Sequence, residues 1–230
     1  MKLMKMPKIE KRFEFKNSVE GEDTAELYLY GSIGTGWFDE IDSNSVRQAI
    51  NESNANEIHV HINSGGGDVF ESIAIHNLLK AHSAKITVHV DALAGSGASV
   101  IAMAADEIIM PRNAMMMIHK AWTVVAGNAD ELRKVANDMD NIDHAVTESY
   151  TGRFKGEREE LVNLLAKEDW ITAEDCVTHG FCDKIADAVA PELADDNVTV
   201  ASLREKYNFD TTEVAASQKN IFMNIANIKR

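Results

Sequence analysis

The sequence predicts an α/β domain with a largely parallel sheet, because strand-like and helix-like segments alternate through its central part. Two turns rich in small residues, Asn63–Asp68 and Ala94–Gly97, each follow a strand-like run and precede a helix-like one. The chain has 230 residues, 45% of them hydrophobic, which is enough for one sizeable core.

The elements follow from local patterns. Aromatic and apolar runs or polar–apolar alternation predict strands at Arg12–Phe15, Glu26–Tyr30, Glu57–Ile62, Ile86–Val90, Glu107–Met110 and Met115–Ile118. The first helix is expected from a cap at Ser43 or Asn44 to about Asn54, and the second follows Asp68 with an apolar stripe of Val69, Phe70, Ile73, Leu78 and Leu79. A long helix with a narrow apolar stripe is expected at Ala129–Arg153, and a short one at Glu157–Lys167. A last helix is expected after Thr172, which would be its N-cap.

Composition shifts suggest three parts of the chain. Residues 1–25 form a polar N-terminal segment, residues 26–190 form the domain, and residues 191–230 form a polar C-terminal tail. There is no internal repeat.

Net charge, apolar stretches and cysteine spacing together limit the classes of function and the compartment that we expect. The formal net charge is −14, so nucleic-acid binding is not expected. No stretch is apolar enough to span a membrane, and the N-terminus lacks the apolar core of a secretory signal. Two cysteines without metal or redox spacing, Cys176 and Cys182, fit a reducing compartment, so we expect a cytoplasmic protein.

The segment Ala94–Ala105 is the first candidate for chemistry. It holds two serines, Ser96 and Ser99, where a turn leads into a buried helix. Backbone N–H groups at a helix start suit a nucleophile whose attack creates an oxyanion. Close packing of a helix against a sheet would explain the same small residues, so the segment by itself leaves both interpretations open.

Two further features each follow a predicted strand or the turn after it, and are therefore expected at the same end of a parallel sheet, where sites form. Gly65–Gly67 can present backbone N–H groups, and His119 closes an apolar strand where an imidazole can act as a general base. Glu168 and Asp169 are carboxylates that could orient an imidazole, or simply flank the helix that begins near Thr172. The other histidines do not form a zinc pattern, so no metal is expected.

Taken together, these stretches resemble the Clp protease proteolytic subunit family, and more closely its ClpP-related head-maturation proteases of phages and prophages. The resemblance covers roughly residues 12–187. It is carried by Ala25–Gly34, Ile62–Val69, Ala92–Asp106, Ile108–His119 and Asp169–Asp183. It implies the ClpP/crotonase-like fold, with repeated strand-helix units and a projecting handle helix within about residues 122–167.

The resemblance also implies roles for individual residues. Ser99 falls on the nucleophile and His119 on the general base, while the amides of Gly67 and Val100 fall on the oxyanion hole. The family's acid lies four residues before a Ser or Thr that starts a helix. That position is Glu168 here, with Asp169 as the alternative.

The implied activity is serine endopeptidase chemistry in a homo-oligomeric ring, with stacked rings as a further expectation. Its substrates would be phage capsid or scaffold proteins, or unfolded polypeptides. An ATP-dependent unfoldase or capsid proteins are the implied partners, and the cleavage needs no cofactor. The segment Ala121–Gly127 is expected near the bound peptide.

Two other classes of protein share the fold. A crotonase-like acyl-CoA enzyme uses a similar oxyanion hole, and a catalytically inactive assembly protein could retain the fold alone. A serine with a following histidine favours the protease.

Overall fold

The polar–apolar alternation of the central segments builds a mixed sheet whose strands are mostly parallel. The computed structural model describes residues 9–16, 23–34 and 41–186. Its strands are β1 (Arg12–Lys16), β2 (Thr24–Ile33), β3 (Glu57–Gly67), β4 (Lys85–Gly95), β5 (Glu107–Pro111), β6 (Met115–Met117), β7 (Trp170–Thr172) and β8 (Lys184–Ala186). The predicted tail at 191–230 lies outside the described residues, and the domain boundaries stay a prediction.

The sheet order is β1-β2-β3-β4-β5-β8, with β6 paired to the end of β4 and β7 paired to β6. Parallel pairing joins β2 to β3, β3 to β4, β4 to both β5 and β6, and β5 to β8. Only β1–β2 and β6–β7 pair antiparallel among the described strands. The predicted α/β class with a largely parallel sheet is confirmed.

Six helices lie among the described residues. They are α1 (Ser43–Asn51), α2 (Val69–Lys80), α3 (Gly97–Ala102), α4 (Ala129–Thr151), α5 (Arg158–Lys167) and α6 (Ala173–His179). The predicted Thr172 cap of α6 is confirmed, since its hydroxyl accepts from the Asp175 amide at 3.2 Å. None of the helices in these described ranges is both long and apolar enough to cross a membrane.

Two local predictions are wrong. The N-cap of α1 is Asp42, whose carboxylate accepts from the Ser45 amide at 2.8 Å, rather than Ser43 or Asn44. Phe70 does not join the apolar stripe of α2, because it lies on the first turn and is 63% exposed. Leu79, which the predicted stripe includes, is fully buried, and so is Ile75, which the stripe did not include.

The core lies between the sheet and the helices that pack on one of its faces. Alternate residues of β2, β3 and β4, among them Leu27, Leu29, Val60 and Val88, are fully buried there. Almost every residue of the Leu93–Ala105 segment is also buried, which fixes α3 against β3 and β4. The small side chains of this segment allow that close packing.

The long helix α4 is held mainly by its last turns. Asn128 caps it in a capping box with Glu131, and its buried residues, Val146, Thr147 and Tyr150, lie near its end. Leu132, in the second turn, is exposed. The first half of α4 therefore has little contact with the core.

Candidate active site

The ends of three neighbouring strands bring the candidate residues together. Strand β4 runs parallel to β3 on one side and to β6 on the other, with Gly95 paired to Met117. The carboxyl ends of parallel strands share one edge of a sheet, so the residues that follow them meet there. The glycine turn, the serine segment and His119 therefore converge, as the sequence predicted.

Gly66 is the point of closest approach between the two turns. Its φ of +87° lies in the left-handed region, and a Cβ there would lie 2.6 Å from both the Gly95 oxygen and the Gly97 nitrogen. Neither backbone atom can move aside as a flexible side chain could. The glycine loop thus packs directly, backbone against backbone, on the serine turn.

We expect Gly66→Ala to damage the site by forcing these turns apart. The loss of an aligned oxyanion donor typically costs about 10²–10³ in rate, and strained backbone costs about 1–3 kcal/mol. The measurements are the rate of labelling by a serine-directed fluorophosphonate and the thermal unfolding midpoint. Gly152→Ala is the matched control, because a Cβ there would meet nothing within 4 Å. An unchanged labelling rate in Gly66→Ala would contradict this packing.

Ser96 occupies the turn between β4 and α3 in a strained conformation. Its φ of 52° and ψ of −124° are unusual for a residue with a side chain, and its amide donates to the Met117 carbonyl at 2.7 Å. Ser96 is half-buried while its neighbours Gly95 and Gly97 are buried. A strained residue presenting its side chain at a strand-to-helix turn is the arrangement of a nucleophile elbow.

The structure brings Ser96, and not Ser99, to His119. The Nε2 atom of His119 lies 2.6 Å from Ser96 Oγ. Ser96 is the N-cap residue of α3, but its side chain makes no capping hydrogen bond and is directed to the imidazole instead. A serine hydroxyl paired with an imidazole can be activated for nucleophilic attack.

Ser99 is fully buried one turn into α3, and the predicted Ser99–His119 pair is wrong. Its hydroxyl donates to the Ser96 carbonyl at 2.5 Å and lies 2.7 Å from the Tyr150 hydroxyl. Burial raises the pKa of Tyr150, so the phenol stays protonated and can donate to Ser99. Ser99 therefore links α3 to α4 inside the core.

The shift from Ser99 to Ser96 also changes the candidate oxyanion donors. The Val100 amide donates to the Ser96 carbonyl at 3.4 Å, inside the helix, so its predicted oxyanion role is wrong. The residue after Ser96 is Gly97, the first residue of α3, whose N–H has no acceptor within the helix. A Cβ built on Gly97 would lie 3.6 Å from the Gly67 nitrogen, so these two amides are neighbours beside Ser96.

The surroundings of His119 favour the neutral form of its imidazole. Burial lowers its pKa from the ordinary 6.5, while the negative charges of Glu168 and Asp143 act in the opposite direction. Desolvation disfavours the imidazolium, so the lowered pKa leaves a free base at neutral pH. A neutral Nε2 can accept the proton of Ser96.

Two observations favour Glu168 over Asp169 as the acid. The negative charge of the Glu168 carboxylate raises the pKa of His119, whereas Asp169 is not among the charges that affect this pKa. Glu168 also lies four residues before Thr172, the N-cap of α6, which is the spacing that the resemblance implies for the acid. Within the described ranges no hydrogen bond joins Glu168 to the imidazole, so its influence there is Coulombic.

Asp169 has a backbone role beside the site. Its carbonyl accepts from the Ile118 amide at 3.2 Å, and this bond extends the pairing of β6 with β7. The residue before His119 is thereby aligned by the Asp169 main chain, which does not depend on its carboxylate.

Several other candidates lie outside the site. His59, His61 and His89 contact one another on the sheet face opposite the core, and His76 donates to the Val100 carbonyl at 2.8 Å. No group of three or more metal-ligating side chains occurs in the part of the chain that the structure describes. Cys176 and Cys182 are free and buried, and burial raises the pKa of both thiols.

The sequence did contain a signal for Ser96. Glycines flank it on both sides, and β4 ends at Gly95, so the residue in the tight turn is Ser96. Ser99 comes three residues later, at a position that a helix starting at Gly97 turns inward. The flanking glycines were the better indicator of the serine that meets His119.

The chain is similar to known proteins of one family. A family model described as Clp protease matches residues 32–189. The ATP-dependent Clp protease proteolytic subunit of Deinococcus radiodurans is 25% identical over 134 residues, which cover 57% of this chain and 65% of that protein, just under two thirds of its length. The ATP-dependent Clp protease proteolytic subunit 2 of Treponema denticola is 24% identical over 187 residues, which cover 75% of this chain and 91% of that protein.

A third relative is the ATP-dependent Clp protease proteolytic subunit 1 of Borreliella burgdorferi. It is 22% identical over 139 residues, which cover 58% of this chain and 70% of that protein. The family model spans more than half of this chain and includes both turns, His119 and Glu168. The chain therefore belongs to the Clp protease family.

Proposed function

We propose that this protein is a serine endopeptidase in which Ser96 is the nucleophile, His119 the general base and Glu168 the acid. The observation that carries the proposal is the 2.6 Å contact between His119 Nε2 and Ser96 Oγ at the strained turn. Membership of a protease family supports the same chemistry. The acyl-CoA alternative has no corresponding support in the comparisons.

The reaction is acyl transfer followed by hydrolysis. Ser96 Oγ attacks the carbonyl carbon of a peptide bond while His119 Nε2 takes the hydroxyl proton. His119 then gives this proton to the leaving amine as the C–N bond breaks. Water activated by the same imidazole attacks the acyl-enzyme, which releases the carboxylic acid and restores Ser96.

The negative charge of the tetrahedral intermediate is stabilised by backbone amides. We assign this role to Gly97, directly after the nucleophile, and to Gly67, whose amide lies next to it. Fixed N–H donors need no reorganisation during the reaction, which makes such sites effective. The Gly66 contact holds the two donors together.

We propose that the active form is a ring of identical subunits, stacked on a second ring, that accepts unfolded polypeptides. Trp122, Val124 and Val125 follow His119 and leave apolar surface exposed in the single subunit. The curated relatives are named as subunits of ATP-dependent proteases, which supports an unfoldase as a partner. Phage capsid or scaffold substrates remain a prediction that rests on the sequence resemblance.

The test is proteolysis by the purified full chain. We expect cleavage of a permanently unfolded polypeptide, with none in Ser96→Ala, and slow or no cleavage of the same polypeptide when it is folded. Oligomer size is measured in parallel by light scattering. A well-folded ring that cleaves nothing and does not react with fluorophosphonate would instead support an inactive assembly protein.

The pH dependence of fluorophosphonate labelling follows from His119. The neutral imidazole is the active base, so the labelling rate should rise with pH as His119 loses its proton. Because burial lowers the His119 pKa, half of the maximal rate should be reached below pH 6.5. In a plot of labelling rate against pH, this increase is the rising limb. A rising limb with its midpoint above pH 6.5 would contradict the buried, neutral base.

A further inference from the structure

Asp143 of helix α4 contacts the residues that follow His119. Its Oδ1 accepts from the Ala121 amide at 2.8 Å, and its Oδ2 pairs with Lys120 Nζ at 3.2 Å. The Asp143 side chain is only 15% exposed, whereas that of Lys120 is 43% exposed. Nothing in the sequence reading assigned a role to this carboxylate.

The position of Asp143 on α4 is unusual for an acidic residue. It lies three, four and seven residues before Val146, Thr147 and Tyr150, the buried residues of this helix, and so shares their inward face. Asp140, one turn earlier, is exposed. A carboxylate on an inward face needs partners, and the partners of Asp143 are the amide and the ammonium next to His119.

The backbone around His119 is held at three points. Ile118 N donates to the Asp169 carbonyl and Lys120 N to the Leu165 carbonyl, each at 3.2 Å. The Ala121 amide is held by the Asp143 carboxylate. Asp143 is thus the one side chain among these anchors. The residue that it holds, Ala121, comes directly before the exposed segment 122–127.

We propose that Asp143 is a positioning residue for catalysis: it fixes the chain after His119 against α4 and adds a second negative charge facing the imidazole. This inference rests on the proposed function. It connects α4, whose first half is exposed, to the general base through one carboxylate. A disturbance of α4 is then transmitted to His119 and to the start of segment 122–127.

The charges around His119 define what removal of Asp143 should do. Ser96 faces the imidazole from the turn before α3, Glu168 from the end of α5 and Asp143 from α4, and Lys120 pairs with Asp143. The two carboxylates stabilise the imidazolium, so loss of the Asp143 charge should favour the neutral base further. The geometric anchor and the charge can be separated, because asparagine keeps an oxygen acceptor for Ala121 and loses the charge.

The experiment measures fluorophosphonate labelling of the full chain across pH, together with kcat and KM for an unstructured peptide. In Asp143→Asn the rising limb should move to lower pH, while the plateau rate stays within about threefold of the wild type. In Asp143→Ala the anchor is also lost, so the plateau rate should fall on the order of 10- to 100-fold, since small misplacements cost that much. Asp140→Asn, one turn earlier on the exposed part of the same helix, should behave as the wild type.

The inference is overturned if the rising limb of Asp143→Asn coincides with those of the wild type and Asp140→Asn. Circular dichroism checks folding, and the near-isosteric asparagine variant decides the question if the alanine variant does not fold. A wild-type protein that is never labelled at Ser96 would instead refute the proposed function. The two failures are therefore distinct.

Discussion

Replacing Ser96 by alanine is expected to abolish peptide cleavage and fluorophosphonate labelling, whereas Ser99→Ala should retain both. Loss of a serine nucleophile from such a triad typically costs on the order of 10⁶ in kcat. Ser96 Oγ is the hydroxyl in contact with His119, while Ser99 Oγ is fully buried between a carbonyl and Tyr150. The measurement is the initial rate of cleavage of an unfolded substrate by each variant at equal oligomer concentration.

Ser99→Ala should instead affect stability. It removes the hydrogen-bond partner of the buried Tyr150 hydroxyl, and a buried polar group left without a partner costs about 1–3 kcal/mol. We therefore expect a lower denaturant midpoint with a cleavage rate within about tenfold of the wild type. Active Ser96→Ala together with inactive, fully folded Ser99→Ala would reverse the assignment.

The second large effect is expected at the acid. Glu168→Gln should reduce kcat by on the order of 10²–10⁴, the range seen when the orienting acid of a triad is neutralised. Because the Glu168 charge raises the His119 pKa, its removal should also move the rising limb of the pH profile to lower pH. The measurement is the pH dependence of kcat for an unstructured peptide.

Asp169→Asn is the matched control, because the adjacent carboxylate is neutralised while the backbone bond to Ile118 is kept. We expect near wild-type kcat and an unchanged pH profile. If Asp169→Asn shows the large loss and Glu168→Gln does not, then Asp169 is the acid.

The parts of the site that are set by strand ends could be predicted from the sequence. Gly67, Gly95 and Met117 end three adjacent parallel strands, so the positions that follow them had to meet at one edge. This reasoning depends only on the alternation of strands and helices, and His119 does contact the turn that follows β4. Membership of the Clp protease family accounts for the same order of motifs.

The choice between two serines could not be made from composition. Ser96 and Ser99 are three residues apart, and a shift of the helix start by three residues exchanges a half-buried residue in the turn for a fully buried one in the helix. The backbone decides: Ser96 adopts a positive φ in the turn, while Ser99 lies within α3. The Gly-Ser-Gly sequence was evidence for this turn, because it allows the close approach of Gly66.

The role of Asp143 had no signal in the sequence at all. It lies in a helix with many acidic residues, and only the tertiary packing of α4 shows which of them contacts the residues after His119. The acid is an intermediate case. The spacing to Thr172 favoured Glu168, and the effect of the Glu168 charge on the His119 pKa points the same way.

Mass-spectrometric mapping of the fluorophosphonate adduct on the purified wild-type protein tests the central claim most directly. One covalent adduct per chain is expected on Ser96, in the peptide that contains both serines, with fragment ions separating Ser96 from Ser99. An adduct on Ser99, or on neither serine in a folded protein that cleaves peptides, would contradict the pairing of Ser96 with His119.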